Sequence, residues 1–365
     1  MERRKFLTGA AVGTAGMALA APAVAQGTKT MTIVSTWPRD FPGLGVSAQR
    51  LAQRITDLSE GTIQTEYFAA GERVGALDVF DEVASGNSNA YIGADYYWTG
   101  KHPALAYFTA VPFGMSFAEI NAWILYGGGM DLWDKVQDQF GLKGLPAGNT
   151  GTQAGGWFRN ELTSLADIQG LRFRTPGLGG RVWQLMGASV TNMAGGEIFQ
   201  ALQSGALDAA EFVGPYNDLA LGFYQVCQHY YTSSFNEPGL ATEIVVDKAK
   251  FQALPSNLQA IVRDCAQAEY DQVPSDFYAN DPRALATLVN DHGVIVHKSF
   301  PDDILQAAAG AAKEVLGGIV NSDDELTRRV ARSFIDSVKL LRTRTENTDQ
   351  TYAAARERFM DYSDL

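Results

Sequence analysis

Leu171-Arg172-Phe173-Arg174-Thr175-Pro176-Gly177-Leu178-Gly179-Gly180-Arg181-Val182 is the most informative segment of the chain. Its first five residues read as a strand, and the glycines lead into a helix over residues 181–186, one strand–turn–helix step of an α/β protein. A dinucleotide fingerprint would have a third glycine where Val182 stands, and an acid at a strand end about 20 residues on. Neither is met. What remains is a helix start whose free amide groups can face an anion. On the strand, Arg172 and Arg174 share one face. An arginine near a strand's C-terminal end can grip a carboxylate through two parallel hydrogen bonds, with a merely solvated charge as the alternative.

The flanking sequence repeats this step. Residues 155–159 read as a strand, 196–203 as a helix and 209–213 as extended chain. Upstream come a strand at 28–36, an amphipathic helix at 46–58, a strand at 62–68, a helix at 77–84 and extended chain at 90–97. Two α/β lobes follow from this order. The first takes residues 26–150 and 243–322, with the strand at 243–246 carrying the chain back to it; the second takes residues 151–242. Helices at 257–272, 301–315 and 323–341 dominate the remainder, with a lone strand at 293–297 and a polar helix at 352–362. Residues 323–365 read as a helical tail outside both lobes, suited to oligomerisation. Val83-Ala84-Ser85-Gly86 before Asn89-Ala90-Tyr91 is echoed by Leu202-Gln203-Ser204-Gly205 before Asp208-Ala209-Ala210, one copy per lobe. Any α/β protein holds several such turns, so the echo alone does not establish a duplication.

A length of 365 residues suits about two domains, and 46% hydrophobic with 19% charged residues excludes disorder and collagen-like repeats. The formal net charge is −12 and no run of five basic residues interrupts it, which argues against nucleic acid as a partner. Residues 1–25 carry Arg3, Arg4 and Lys5 before Phe6-Leu7, a short Ala/Gly run and Ala23-Val24-Ala25. This predicts a twin-arginine export signal cleaved after Ala25, because the apolar run is too short and small-sided for a membrane anchor. The mature chain would then hold 26 basic and 40 acidic residues. Cys227 and Cys265 are the only cysteines; in an oxidising compartment they either pair or remain buried as small hydrophobes.

Familiar chemistry is missing. His102, His229, His292 and His297 lack metal-ligand spacing, and no G-x-S-x-G elbow follows the signal. Glu211, however, stands inside the apolar run Ala209-Ala210-Glu211-Phe212-Val213-Gly214-Pro215-Tyr216. A carboxylate there needs a partner or a cation. With Gln153, Glu237 and backbone carbonyls it could build an oxygen cage of the kind that suits calcium or sodium. A salt bridge to an arginine such as Arg159 is the alternative.

Four ordered motifs give the chain a specific likeness: Gly148-Asn-Thr-Gly-Thr-Gln-Ala-Gly-Gly-Trp-Phe-Arg159, Gly170-Leu-Arg-Phe-Arg174, Ala194-Gly-Gly-Glu-Ile-Phe-Gln-Ala-Leu-Gln203 and Glu211-Phe-Val-Gly-Pro-Tyr216. Through them the chain resembles the extracytoplasmic solute receptors of tripartite ATP-independent periplasmic (TRAP) transporters, especially the branch binding 2-oxoacids and 2-hydroxyacids such as pyruvate and lactate. The resemblance implies an α/β, two-lobe periplasmic-binding-protein fold with a hinge and long C-terminal helices, binding without turnover and no catalytic cofactor. It maps the carboxylate clamp onto Arg174. It also maps a ligand-bridging sodium or calcium onto Gln153, Glu211, Glu237 and the carbonyl of Phe212, and ligand hydrogen bonds onto Asn149 and Tyr96 or Tyr97. Phe212 stands where that branch usually has tryptophan, and the Tyr-Tyr-Trp segment here carries Asp95 and an extra Thr99. The implied partners are a small carboxylate, membrane permease subunits and a second copy bound through the C-terminal helix, all in the periplasm. A receptor for another carboxylate or a polyol, or an exported oxidoreductase, is the alternative.

Overall fold

A computed structural model of the protein describes residues 28–362, so the export-signal reading of residues 1–25 lies outside the described residues. Eleven strands form two sheets. In the first, β1 (Lys29–Ser35) pairs in parallel with β2 (Ile63–Phe68) and with β3 (Ala90–Gly93). β10 (Ala241–Asp247) then lies antiparallel between β3 and β4 (Leu142–Asn149). The expected amphipathic helix, Leu44–Leu58, lays Leu44, Ala48, Leu51, Ala52 and Ile55 into the core beside this sheet.

The second sheet has the order β11 (Ile295–His297), β9 (His229–Tyr231), β5 (Gly156–Phe158), β8 (Ala209–Ala210), β6 (Arg172–Arg174) and β7 (Ser189–Thr191). The helix after β6 begins at Gly177 and ends at Leu185, four residues earlier at its start than the sequence pattern placed it. Gly86 and Gly205 both have positive φ, 79° and 74°, each between a helix end and a strand, so the turn echoed in the sequence is built in both lobes.

Four expectations need correction. The chain at 90–97 is not extended throughout: β3 stops at Gly93 and Asp95–Trp98 forms a 3-10 turn, because the Asp95 carboxylate points into the core and collects three donors. The helix expected over 257–272 runs Ser256–Asn290 straight through Pro274 and Pro282. Burial of Val273, Phe277 and Leu288 offsets the hydrogen bonds the prolines remove. At about 1.5 Å per residue this helix is roughly 50 Å long. It packs on Leu44–Leu58 and β4 at one end and on Pro215–Leu221 of the second lobe at the other. It therefore delivers the strand at 295–297 to the second sheet, as β11 beside β9, although residues 243–322 were assigned to the first lobe. Asp302–Val320 likewise packs on Gly177–Leu185.

The C-terminal segment is only partly a tail. Glu325–Asn347 buries Val330, Ala331 and Phe334, with Phe334 edge-on to Trp123 and Tyr107 of the first lobe, and Trp123 Nε1 donates to Ser333 Oγ at 3.1 Å. Beyond Leu340 the chain is largely exposed, and the helix Asp349–Phe359 buries none of its residues. Cys227 and Cys265 are buried and unpaired, which settles the cysteine alternatives in favour of two thiols.

Glu269 ties two layers of the first lobe together. It is fully buried on Ser256–Asn290 and accepts from Arg50 Nε and Nη2 at 2.7–3.0 Å, with Arg54 Nη1 at 3.1 Å. Glu269→Ala leaves two arginines facing an apolar seam, and is expected to lower stability by on the order of 2 kcal/mol, measured as a lower urea midpoint.

Candidate functional site

The candidate residues converge where the chain crosses between lobes. One crossing follows β4 and carries Asn149, Thr150 and Gln153; another precedes β10 and carries Glu237 and Gly239. The two loops are zipped together: Gln153 N donates to Glu237 O at 3.0 Å, Thr150 N to Leu240 O at 3.0 Å, and Thr152 Oγ1 to Pro238 O at 2.8 Å. Antiparallel pairing of β4 with β10 starts immediately beyond, at Asn149 opposite Ala241. The sheet thus brings together residues far apart in sequence.

Arg174 ends β6 and Glu211 follows β8, the strand beside it. Both are fully buried. Arg174 Nε and Nη2 donate to Met193 O at 3.2 and 3.1 Å, and Nη1 to Glu211 O at 2.6 Å. A guanidinium has five N–H donors, so one remains on each terminal nitrogen, the pair a carboxylate would use. The cation also lies over the Phe212 ring, 5.4 Å from its centroid. Burial opposes the Arg174 charge, but Tyr97, Glu211, Tyr96 and Glu237 around it keep its pKa above the usual arginine value.

Glu211 Oε2 lies 3.9 Å from Arg174 Nη1 and accepts from Thr175 Oγ1 at 3.3 Å. Glu237, almost wholly buried, accepts from Tyr96 OH at 3.4 Å. Burial pushes both glutamates above the ordinary carboxylate range against the pull of Arg174, and for Glu237 the neighbouring Glu211 pushes further. One guanidinium therefore faces two buried acids.

Three buried oxygens here have no hydrogen-bond partner: Gln153 Oε1, Glu211 Oε1 and Glu237 Oε1. They belong to the three side chains the sequence reading named as an oxygen cage. Gln153 Nε2 donates to Thr150 Oγ1 at 3.0 Å, which turns the amide oxygen the other way. Oxygen-only donors with two carboxylates suit a hard cation such as sodium or calcium, and among the described residues no group of three or more His, Cys, Asp or Glu offers a rival metal centre. The residues present fit such an ion.

The other candidates fall differently. Tyr96 is buried and reaches Glu237, whereas Tyr97 is half-buried, its ring tilted against that of Tyr96 with centroids 4.7 Å apart, and lies within the field of Arg174. Asn149 accepts from Gly151 N at 2.8 Å and donates to Gly239 O at 3.4 Å, stapling the two crossing loops. Arg159 does not pair with Glu211; it donates to the carbonyls of Leu202 and Leu207. Arg172 is exposed and bridged to Asp208. Thr150, Thr175 and Met193 were missed, since small or apolar residues beside a site carry no distinguishing pattern. So was Phe41, whose ring meets Phe212 edge-on at 5.9 Å from the first lobe.

The family described as bacterial extracellular solute-binding protein, family 7 (DctP) matches residues 33–323. A curated monocarboxylate 2-oxoacid-binding periplasmic protein of Nostoc sp. is 36% identical over 316 residues, 84% of this chain and 86% of that protein. Among solved structures, a TRAP periplasmic solute binding protein from Pseudoalteromonas atlantica with bound sodium and pyruvate is 33% identical, with TM-score 0.87 over 90% of this chain and 99% of its own. One from Colwellia psychrerythraea, with bound calcium and pyruvate, is 35% identical, with TM-score 0.86 over the same shares.

Gly177 tests the closed arrangement. Its φ is +62°, and a Cβ there would stand 2.7 Å from Tyr96 Cδ2 of the opposite lobe. Gly177→Val is expected to wedge the lobes apart, giving a larger radius of gyration by small-angle X-ray scattering under conditions where the parent protein is shut.

Proposed function

The chain belongs to the DctP family of extracellular solute-binding proteins and is a TRAP solute receptor, and from that premise we propose that it captures a small 2-oxo or 2-hydroxy monocarboxylate such as pyruvate or lactate. The observation carrying this reading is the set of three unpartnered buried oxygens, on Gln153, Glu211 and Glu237, beside the fully buried Arg174.

The two free N–H groups of Arg174 take the ligand carboxylate. Gln153, Glu211, Glu237 and the carbonyl of Phe212 hold the cation, and Asn149 with Tyr96 or Tyr97 supplies hydrogen bonds. A sodium or calcium ion, when bound, supplies the positive charge that the 2-oxygen of the ligand meets. One guanidinium, two carboxylates and one incoming carboxylate reach neutrality with a divalent ion and stay one unit negative with a monovalent one; calcium should therefore give the tighter complex. The two arginines that a second ligand carboxylate could have used are committed elsewhere, Arg172 to Asp208 and Arg159 to backbone carbonyls. This favours monocarboxylates over dicarboxylates.

Ligand contacts drawn from both lobes stabilise the shut state over the open one, which is what closure requires. The ligand leaves unchanged. TRAP receptors work with membrane permease subunits, and the closed form is the one offered to them. Export by the twin-arginine signal with cleavage after Ala25 places the receptor in the periplasm. Pairing of two copies through the C-terminal helices would cover Leu340, Tyr352 and Phe359, which are exposed in the single chain.

Thermal shift with pyruvate, lactate, succinate and mannitol, each with and without sodium or calcium, is expected to give the largest rise with pyruvate or lactate plus calcium. Arg174→Ala should weaken pyruvate binding by about a hundredfold, as for a lost buried charge-assisted pair. A change within about threefold would show that the carboxylate is held elsewhere.

A further inference from the structure

A second pair of buried carboxylates lies outside the cleft, on the face of the first sheet that carries Tyr91. Asp95 and Glu243 are both fully buried and act on one another. Asp95 is well provided: Tyr91 OH donates to Oδ1 at 2.9 Å, while Trp133 Nε1 and Gln137 Nε2 donate to Oδ2 at 2.8 and 2.7 Å. Neither oxygen of Glu243 makes a hydrogen bond of normal geometry, and the pull of the Asp95 backbone N–H on its charge is outweighed by burial. Glu243 sits where the register of β10 against β4 shifts, between Thr242 and Glu243, an irregularity of the kind that re-aims a side chain.

Among the described residues no cation on the surrounding elements pairs with Asp95 or Glu243: Lys101, just after the turn, is bridged to Asp81, and Lys135, on the helix that carries Trp133 and Gln137, is exposed. Lys143 on β4 is bridged to Asp134, Lys248 to Asp138, and Lys250 to Asp247 and the carbonyls of Gly86 and Ser88. On the helix Ser256–Asn290, Glu269 is taken by Arg50 and Arg54. The remaining titratable group facing the pair is the Tyr91 hydroxyl, already donated to Asp95. Two bare charges packed this way would each cost several kcal/mol; one proton between them removes the problem.

We propose that Asp95 and Glu243 share one proton, carried by Glu243 and donated to Asp95, and that the pair positions the turn bearing Tyr96 and Tyr97. Asp95 is the first residue of that turn; the next residue reaches Glu237 across the cleft, and the one after lies beside Arg174. Ionising Glu243 would set two negative charges against each other. Asp95, on a turn and not mid-sheet, is the partner that would have to shift, taking the tyrosines with it. The part of this inference that concerns affinity rests on the proposed ligand site; the shared proton does not.

The sign follows from linkage. Burial first, and then Asp95, holds Glu243 well above the ordinary carboxylate range, whereas the unfolded chain ionises it normally. The folded state binds the extra proton, so this contribution to stability is fully present below the unfolded pKa and is lost as pH rises towards the folded one. The test compares wild type, Glu243→Gln and Glu243→Ala, ligand-free, by urea unfolding between pH 5 and 8, with infrared spectra at pH 7. Glu243→Gln keeps a donor to Asp95 but cannot ionise. Its folding equilibrium relative to wild type is expected to rise about tenfold per pH unit in this range, and the wild-type-minus-variant difference spectrum should show the band of one protonated carboxylic acid, that of Glu243, over the absorption Glu211 and Glu237 give in both proteins. Parallel pH profiles, or a wild-type-minus-variant difference that follows added sodium and not pH, would overturn the shared proton. For the positioning role, pyruvate affinity at pH 6 should fall at least tenfold in Glu243→Ala and stay within threefold in Glu243→Gln. Equal affinity in all three proteins overturns it. If Glu243→Ala does not fold, a tenfold loss in Glu243→Gln does so instead. If wild type binds no pyruvate, the ligand reading fails while the unfolding profiles still decide the proton.

Discussion

One buried guanidinium facing two buried glutamates in a closed cleft is the arrangement on which the rest of the molecule depends. Removing such charges from water costs several kcal/mol each, and only close partners offset it. Arg174 finds part of its compensation in the carbonyls of Met193 and Glu211. The glutamates find less: Thr175 and Tyr96 each reach one oxygen at long range, leaving Oε1 of both without a donor. In the proposed complex the cation would face the glutamates and the ligand carboxylate would face Arg174. That is why a site of this composition suits a receptor that closes on its cargo.

The architecture explains how residues 174, 211, 153 and 237 meet. Arg174 and Glu211 follow from adjacent strands of one sheet. Gln153 and Glu237 lie on the two crossings between lobes, and these are locked by the β4–β10 ladder and by Asn149. The proposed cage would therefore be assembled at the hinge side of the cleft from segments that need not travel far relative to each other. Tyr96 arrives from the opposite lobe on a turn anchored by Asp95. Its approach to Gly177, a position without a side chain and with φ of +62°, shows how tightly the lobes fit.

Much of this was legible in the residues themselves. Arg172 and Arg174 stood out together because arginines alternate along a short strand, the choice of Arg174 coming from the family resemblance, and Glu211 stood out because a carboxylate interrupts an apolar run. The succession of strands and helices that opens the first lobe followed from the alternation of β-formers with an amphipathic helix, whereas the order of strands in the sheet and the strand at Leu142–Asn149 did not. Sequence patterning could not tell which of two similar arginines faces inward: Arg172 and Arg174 share a strand face, yet Asp208 holds one at the surface while the other ends the strand inside the cleft. Nor did it follow the helix past Pro274, since proline is a stop signal until buried neighbours outweigh it. The extended reading of residues 90–97 failed for a related reason, because the inward turn of Asp95 depends on Trp133 and Gln137, contributed by a helix some forty residues away.

A guanidinium and a cation that grip one small acid together require acid and cation to bind with coupled free energies. Isothermal titration calorimetry of pyruvate, across calcium concentrations from chelator to saturation, measures this directly. Pyruvate affinity is expected to climb with calcium, and pyruvate to tighten calcium binding by the same factor. Pyruvate binding equally well in chelator and in saturating calcium would contradict it.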